Sequence, residues 1–494
     1  MPRLLATLAR VLAVVASLAG GAAAWAADDA IGADGARHLL ARTGFGATPA
    51  EVKAFAGLSR TDAVDRILGA TRGKATLPPP AWVDEPYLPF YKVQQLPAEE
   101  RQAAQRLQVE RGFELREWWF REMLATPSPL TERMTVFWHG HFATSQQKVR
   151  SGQLMYRQNV LLRSQATGNF ATLLRAVARD PAMLVYLDNA GSRRQAPNEN
   201  FAREVMELFT LGEGHYGERD VKEAARAFTG WSIDRDSGEF RYRPFFHDGG
   251  TKTVLGRTGR FGGDDVLDIL LGRPETAELL TRKLWREFVS PDPDAHEVAR
   301  LAAVFRRSGY EVKPLLRALL SSDAFWSPHN RATLVKSPVD LVVGTLRTFG
   351  MSPPAMRPAV IAAALLGQNL MSPPNVKGWP GGNAWINAAT LLERKQFVDR
   401  VFRGTEATAP AEPAMGGEGP MAPQARLRRA MSRGLATYAI DWDRWAEGLG
   451  GEGADAALIQ QVVLAVPPVR KPPADLEKLA LVRALAADPA YQLR

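Results

Sequence analysis

Amphipathic helical spacing runs through most of this chain and restricts it to a mostly α-helical fold. Apolar residues recur at i, i+3 and i+4, the pattern of helices that bury one face. With 494 residues, the chain is long enough for these helices to share a large core. The spacing predicts helices over 50–56, 61–68, 98–124, 130–139, 154–165, 171–178, 198–211, 218–228, 275–288, 295–306, 313–320, 335–349, 357–365 and 388–401.

Residues 232–262 break the helical period. Side chains alternate between polar and apolar over 239–243, and glycines punctuate the following sequence at 249, 250 and 256. This pattern predicts a small β-hairpin or an irregular insertion. We therefore predict a mostly α fold with one large multi-helix domain over 27–404. The Ala-, Pro- and Gly-rich segment 405–424 predicts a flexible linker, and 425–494 predicts a helical C-terminal tail.

The N-terminus has the pattern of a cleavable secretory signal. Arg3 and Arg10 precede or flank an uncharged apolar run over 12–24, and 24–26 (Ala-Trp-Ala) supplies a small-x-small cleavage site. We predict a signal peptide over 1–26 and an exported, periplasmic or secreted protein. No later stretch approaches the ~18 uninterrupted apolar residues of a membrane span, so no transmembrane segment is predicted after signal removal.

Cysteine is absent from the sequence, and this limits the cofactors. Covalently attached c-type haem, iron–sulfur clusters and disulfides all require cysteine and are therefore excluded. Any metal site must use His, Asp, Glu or carbonyl oxygens. The formal charge of +9 is spread along the chain without a basic stripe, which argues against nucleic acid as a partner.

Residues 197–209 predict a helix with an ordered polar stripe. Glu199, Arg203 and Glu207 repeat at i, i+4 and i+8, and Glu204 flanks the apolar face. One interpretation is a solvated face with ion pairs that each contribute roughly 0.2–0.5 kcal/mol. The other is a functional site, because helical carboxylates at i, i+3 build metal sites and also serve as general acids or bases.

Two histidine-bearing segments are candidates for chemistry. His139 and His141 flank Gly140 at a predicted helix end, where they either ligate a metal or cap the helix C-terminus. In the insertion, His247, Asp248 and Lys252 surround a pair of glycines. That loop is either functional or a turn with a glycine at its tip.

The segment 372–385 predicts a rigid and then flexible loop. It contains three prolines, three glycines, two asparagines, a lysine and two tryptophans, Trp379 and Trp385. Such a loop either lines a cleft for a sugar or aromatic ligand, or packs as an Ω-loop over the end of the helical core.

These motifs, taken together and in order, resemble the bacterial domain-of-unknown-function family 1800. The resemblance covers about 38–401, most of the mature chain. It implies an exported protein in the cell envelope, often encoded beside a second exported protein that looks like a sulfatase or phosphatase relative, and it implies no established activity. The segments that carry it are 39–46, 138–142, 198–204, 208–214, 225–231, 247–248, 335–338 and 373–379.

Two functional hypotheses follow from the sequence. In the first, the protein is a metal-dependent hydrolytic or oxidative enzyme that binds a divalent metal ion. In the second, the same polar network is structural or docks a partner in the envelope, without catalysis. The enzyme hypothesis assigns the metal to His139, His141, Glu204 and His247, and it assigns the surrounding site to Glu199, Arg203, Glu207, Asp248 and Lys252.

Overall fold

The computed structural model describes residues 29–403, 423–451 and 455–494. The predicted signal peptide, 1–26, and most of the predicted linker, 405–424, lie outside these residues. The prediction of a mostly α fold with a small β insertion is confirmed. Among the described residues, no helix has both the length and the apolar character needed to cross a bilayer.

Among the described residues, ten α-helices precede the polar stripe. The long α5 and the helix α6 that follows it have inner faces in the core, where Trp119 and Trp138 are fully buried. Burying a large apolar side chain contributes roughly 1.5–3 kcal/mol. The ten helices are α1 (Gly32–Thr43), α2 (Pro49–Ala56), α3 (Arg60–Gly69), α4 (Phe90–Gln95), α5 (Ala98–Ala125), α6 (Pro129–His141), α7 (Gln146–Val149), α8 (Gly152–Ser164), α9 (Phe170–Ala178) and α10 (Pro181–Tyr186).

The polar stripe forms α11 (Glu199–Met206), which continues into a π-helical turn, Glu207–Leu211. After α12 (Glu218–Ala227) comes the insertion, which holds two separate antiparallel pairs of strands. In the first pair Trp231 faces Tyr242, and in the second Lys252 faces Gly259. The strands are β1 (Trp231–Ile233), β2 (Phe240–Tyr242), β3 (Lys252–Val254) and β4 (Arg257–Gly259).

The second half of the main domain is again helical. Helix α14 packs against α15, and α18 begins with a capping box in which the Ser337 hydroxyl accepts from Asp340 N–H and the Asp340 carboxylate accepts from Ser337 N–H. The helices are α13 (Gly263–Leu271), α14 (Pro274–Phe288), α15 (Ala295–Arg307), α16 (Val312–Leu320), α17 (Asp323–Trp326), α18 (Pro338–Thr348), α19 (Arg357–Leu365) and α20 (Ala388–Arg403).

The C-terminal tail packs onto the main domain. Its helices are α21 (Pro423–Leu435), α22 (Trp442–Glu447), α23 (Ala456–Val463) and α24 (Lys478–Ala487). The Trp445 indole N–H donates to the Thr348 carbonyl at 2.7 Å. Leu493 forms an isolated antiparallel β-bridge with Val335. Tyr491 is buried beside Phe349. The tail therefore shares the hydrophobic core of the main domain.

Candidate functional site

Three of the sequence motifs meet at one open cleft of about 420 Å³, which we call the motif cleft. They are the end of α6 at Phe137–His141, the segment before α18 at 335–337, and the loop 377–385. Helix α14 closes the cleft with Lys283, Arg286 and Glu287. The volume falls within the range of about 300–1,000 Å³ that small-molecule sites occupy.

Helix α6 extends two residues beyond its predicted end. We expected the helix to end near His139 with Gly140 as its cap, and this is wrong, because α6 runs through Gly140 to His141. A second glycine, Gly378, permits a close approach between a loop and this part of α6. The loop carrying Gly378, which has φ +81°, passes so near the Gly140 carbonyl that a Cβ on Gly378 would overlap it.

Two carbonyl oxygens of the π-helical turn contact side chains that line the cleft. Gly212 N–H donates to the Glu207 carbonyl at 2.9 Å, which closes the wider turn and ends the helix. The carbonyls of Leu208 and Phe209 then accept from side chains, as helix-end carbonyls must when no further turn follows. Lys283 Nζ donates to Leu208 at 3.1 Å, and His141 Nε2 lies 3.2 Å from the Phe209 oxygen.

His141 and Lys283 form a hydrogen-bonded pair. Lys283 Nζ lies 2.9 Å from His141 Nδ1. Burial, followed by the charge of Lys283, holds the pKa of His141 well below its usual range. The imidazole is therefore neutral, so Nδ1 accepts from the ammonium and Nε2–H donates to Phe209.

Lys283 is the most perturbed lysine of the cleft. Burial, helped by the nearby charge of Arg286, lowers its pKa to about 8. An ammonium has three donors, and the two described partners use two of them. Within the part of the chain that the structure describes, the third has no partner, and the side chain lines the cleft.

Positive charge exceeds negative charge in the cleft lining. The carboxylates Glu287 and Asp340 are both engaged by Arg133 and Arg494. Arg286 is exposed and makes no hydrogen bond or ion pair among the described residues. The cations that line the cleft are Arg133, Lys283, Arg286, Lys377 and Arg494.

Aromatic side chains form part of the cleft wall, which we call the aromatic wall. Trp385 is buried, whereas Phe137 and Trp379 are half-buried, and all three line the cleft. The Trp379 indole Nε1 is buried without a hydrogen-bond partner among the described residues. A buried donor of this kind normally meets an acceptor.

His139 lies beside the cleft and does not line it. Its Nε2 accepts the backbone N–H of Met371 at 2.9 Å, and its ring lies against Trp119 and Trp379. Burial lowers the pKa of His139 to about 4, so the ring is neutral. His139 thus fastens the loop that follows Leu370 to α6.

The acidic part of the α11 stripe faces the rim of the cleft. Glu204 is half-buried, and burial together with the charge of Glu207 raises its pKa, although Lys377 opposes the shift. Lys377 Nζ donates to Glu213 at 3.0 Å. Glu207 accepts a hydrogen bond from the Tyr216 hydroxyl. Glu204 and Glu207 therefore lie near enough to each other and to Lys377, which lines the cleft, to interact electrostatically.

The remaining stripe residues are separate from this group. Arg203 makes a two-pronged ion pair with Glu218, at 2.7 and 2.8 Å, on the surface. Glu199 has no polar partner among the described residues. We expected ion pairs between Glu199, Arg203 and Glu207 along the stripe. Among the described residues, no hydrogen bond or salt bridge joins these side chains to one another.

The insertion motif holds the insertion onto α12. Asp248 accepts from Arg226 at 2.7 Å, and Lys252 donates to the carbonyls of Asp248 and Gly250. His247 Nδ1 lies 3.0 Å from the Thr229 carbonyl oxygen. These contacts provide hydrogen-bond partners for the polar side chains of the turn that carries the motif.

Within 29–403, 423–451 and 455–494, no group of three or more His, Asp or Glu side chains is placed to hold a metal ion. His139, His141 and His247 have the separate hydrogen-bond partners described above, and Glu204 lies near Glu207 and Lys377. The metal site therefore stays a prediction.

The sequence reasoning missed the residues of α14. The segment 275–288 was predicted as an amphipathic helix without a functional role. Lys283 and Arg286 are i, i+3 neighbours on that helix and hence share a face. This shared face was the signal available in the sequence, but nothing in the neighbouring residues shows that the face closes a cleft.

The fold and the cleft together define a mostly α-helical protein with a cationic cleft walled by aromatic side chains. The chain belongs to the protein family of unknown function DUF1800, whose family model matches residues 38–493. The match thus includes the tail as well as the motifs of the main domain. No curated protein and no solved structure matches the chain.

Proposed function

We propose that this chain is an exported protein that binds an acidic sugar in the motif cleft. The observation that carries the proposal is the convergence of three separate sequence motifs on one cleft with excess positive charge. The N-terminal pattern of 1–26 supports export. The family match supplies no activity, so the chemistry of the cleft decides the ligand class.

The cationic side of the cleft suits a carboxylate or phosphate group. Arg286 is uncommitted, and Lys283 retains one N–H toward the cleft. A hydrogen bond to a charged group contributes about 1.5–3 kcal/mol, and less where that group is exposed, as Arg286 is. An anion between Arg286 and Lys283 would accept hydrogen bonds from both side chains.

The aromatic side suits a ring. Trp379 and Phe137 offer flat, half-buried faces against which the apolar face of a sugar ring packs. The unpartnered Trp379 Nε1 offers a donor to a ring hydroxyl oxygen. A ligand with both a ring and an anionic group therefore uses both walls of the cleft.

Binding of digalacturonate, with the neutral galactobiose as a comparison, tests the proposal by isothermal titration calorimetry. We expect digalacturonate to bind and galactobiose to bind at least tenfold more weakly. Arg286→Gln should weaken digalacturonate binding about tenfold, since losing one charged contact costs about 1.4 kcal/mol or more.

Arg282→Gln is the matched control, because Arg282 lies on the same helix and does not line the cleft. It should leave the affinity for digalacturonate unchanged. Equal affinity for the acidic and neutral disaccharides, or equal weakening by the two substitutions, would refute acidic-sugar binding at this cleft.

A catalytic role for Lys283 is the second candidate. A lysine with its pKa lowered to about 8 is a free amine in a useful fraction near neutral pH and serves as a general base or nucleophile. Its contact with the neutral His141 fixes the ammonium at the cleft wall. This observation favours chemistry on the ligand in addition to binding.

The reactivity of Lys283 toward a small acylating reagent checks this prediction. At pH 8 about half of the Lys283 side chains should be unprotonated, whereas an ordinary lysine, with a pKa of about 10.4, is less than about one per cent unprotonated. Mass spectrometry should therefore find Lys283 acylated ahead of the exposed Lys313, with a midpoint near pH 8. A midpoint of Lys283 acylation above pH 10 would contradict the lowered pKa of this lysine.

Three further proposals come from the sequence. Metal-dependent catalysis through His139, His141, Glu204 and His247 needs elemental analysis of the purified protein. The non-catalytic envelope role would be supported by ligand binding without turnover. The partnership with an exported sulfatase- or phosphatase-like protein is supported only by the family resemblance.

A further inference from the structure

A second, much smaller cavity of about 30 Å³ shares Arg133, Asp340 and Arg494 with the lining of the motif cleft. It is enclosed by α1, α18 and the tail, which contributes Val462, Val463 and Arg494. About 10–15 Å³ of such space is enough for one water molecule. The cavity therefore has room for a water or a monoatomic ion and none for a larger ligand.

The lining of this cavity is strongly cationic. Arg37, Arg133 and Arg494 are each more than nine-tenths buried. Lys336 also lines the cavity, and burial lowers its pKa to about 7, so only part of its population is charged at neutral pH. Asp340 is the one carboxylate in the lining. Burial would raise its pKa, but Arg133 and Arg494 hold the pKa of Asp340 well below its usual range, so it is ionised.

The carboxylates near the cavity are already shared. Asp340 contacts both Arg133 and Arg494, and Glu287 contacts the same two arginines at 3.1 and 3.0 Å. Arg37 donates from Nη2 to the Ala465 carbonyl at 3.2 Å and has no carboxylate partner among the described residues. The buried positive charge thus exceeds the negative charge that faces it.

Several arginine donors in this group have no hydrogen-bond partner. Among the described residues, they are Nε of Arg37, Nε of Arg133 and Nη1 of Arg494, whereas Nε of Arg494 lies 3.4 Å from Asp340 Oδ2. Leaving a buried donor unsatisfied destabilises the folded state, and more so when the donor belongs to a charged group. Uncompensated buried charge adds a further desolvation cost.

We propose that this cavity binds a single halide ion, chloride under ordinary conditions. A spherical anion fits the volume and accepts hydrogen bonds from arginines that approach from different directions. It also supplies the negative charge that the lining lacks. A water molecule has a suitable size but leaves the charge uncompensated, and it is the alternative that the test separates.

A halide here would fasten the tail to the main domain. Arg37 comes from α1, Arg133 from α6 and Arg494 from the end of the tail, so one ion would connect three parts of the chain. Binding to the folded state alone stabilises it by mass action. Chloride should therefore raise the unfolding temperature in a saturable way.

Thermal unfolding of the full chain in sodium chloride and in sodium gluconate at equal ionic strength tests the proposal. Gluconate is too large for the cavity. We expect the midpoint to be higher by about 2 °C or more in chloride, and bromide should reproduce the effect. Identical midpoints in chloride and gluconate would overturn the proposal.

Arg37→Gln should abolish the chloride response. Arg116→Gln is the control, because Arg116 is buried to a similar degree and does not line the cavity. If Arg37→Gln does not fold, anomalous scattering from crystals of the unmodified protein grown in bromide decides the matter. A peak in the cavity supports the proposal, whereas a response retained in Arg37→Gln or an empty cavity in bromide refutes it.

Discussion

Replacing Gly378 by alanine should destabilise the protein by about 3 kcal/mol and abolish ligand binding in the motif cleft. The residue has φ +81°, where a Cβ is unfavourable, and that Cβ would overlap the Gly140 carbonyl. Relief of the overlap must separate the loop from α6. Trp379, the next residue, would then leave its place in the aromatic wall.

Chemical denaturation and calorimetric binding measure the two effects. Gly382→Ala is the matched control, because Gly382 also has a positive φ, +55°, but no atom lies within 4 Å of the added Cβ. It should cost only about 1 kcal/mol, the backbone contribution alone. Equal destabilisation by the two substitutions would show that the approach to Gly140 does not hold the loop in place.

Glu132→Ala should cost about 3–5 kcal/mol in the free energy of unfolding, because it leaves a buried guanidinium without its carboxylate. Glu132 accepts from Arg163 at 2.6 and 2.9 Å, and each side chain is only 1% exposed. Trp119 Nε1 also donates to Glu132 at 2.8 Å. This group joins α6, which ends at His141, to α5 and α8.

Asp65→Ala provides the comparison, because Asp65 makes an equally two-pronged pair with Arg317, at 2.7 and 2.6 Å, on the surface. Exposed pairs contribute about 0–1 kcal/mol. Urea denaturation of both variants should therefore separate them by at least about 2 kcal/mol. A similar loss in the two variants would mean that burial of the Glu132 pair adds nothing to its strength.

The helical predictions agree with the structure where local spacing decides the outcome. The predicted 98–124 corresponds to α5, Ala98–Ala125, and the predicted 275–288 corresponds to α14, Pro274–Phe288. The insertion around 232–262 holds the predicted strand pairing. Amphipathic period, caps and glycine-bearing turns are encoded within a few residues of one another, and the sequence displays them directly.

Local spacing fails where a distant segment changes the element. The predicted helix 198–211 becomes α11 and a π-helical turn, and the carbonyls of that turn accept from Lys283 and His141. Gly140 has the position of a helix cap but lies inside α6, beside the loop of Gly378. Neither contact has a signature in the neighbouring sequence.

The candidate site, too, was predicted by the sequence only in part. The sequence singled out the α6 end and the loop 372–385, and both line the motif cleft. Of the nine residues assigned to the predicted site, only His141 lines it, and His247, Asp248 and Lys252 instead hold the insertion onto α12. Lys283 and Arg286 entered the site only through the packing of α14.

The sequence by itself determined the helical class of this protein, the place of its insertion, its family and the exclusion of cysteine-dependent cofactors. These properties depend on composition, local periodicity and ordered motifs. The tertiary structure alone decided which motifs meet, which charges are buried together and how the pKa of Lys283 falls to about 8. Desolvation and Coulomb interactions act between residues far apart in the chain, so they exist only once the helices have packed.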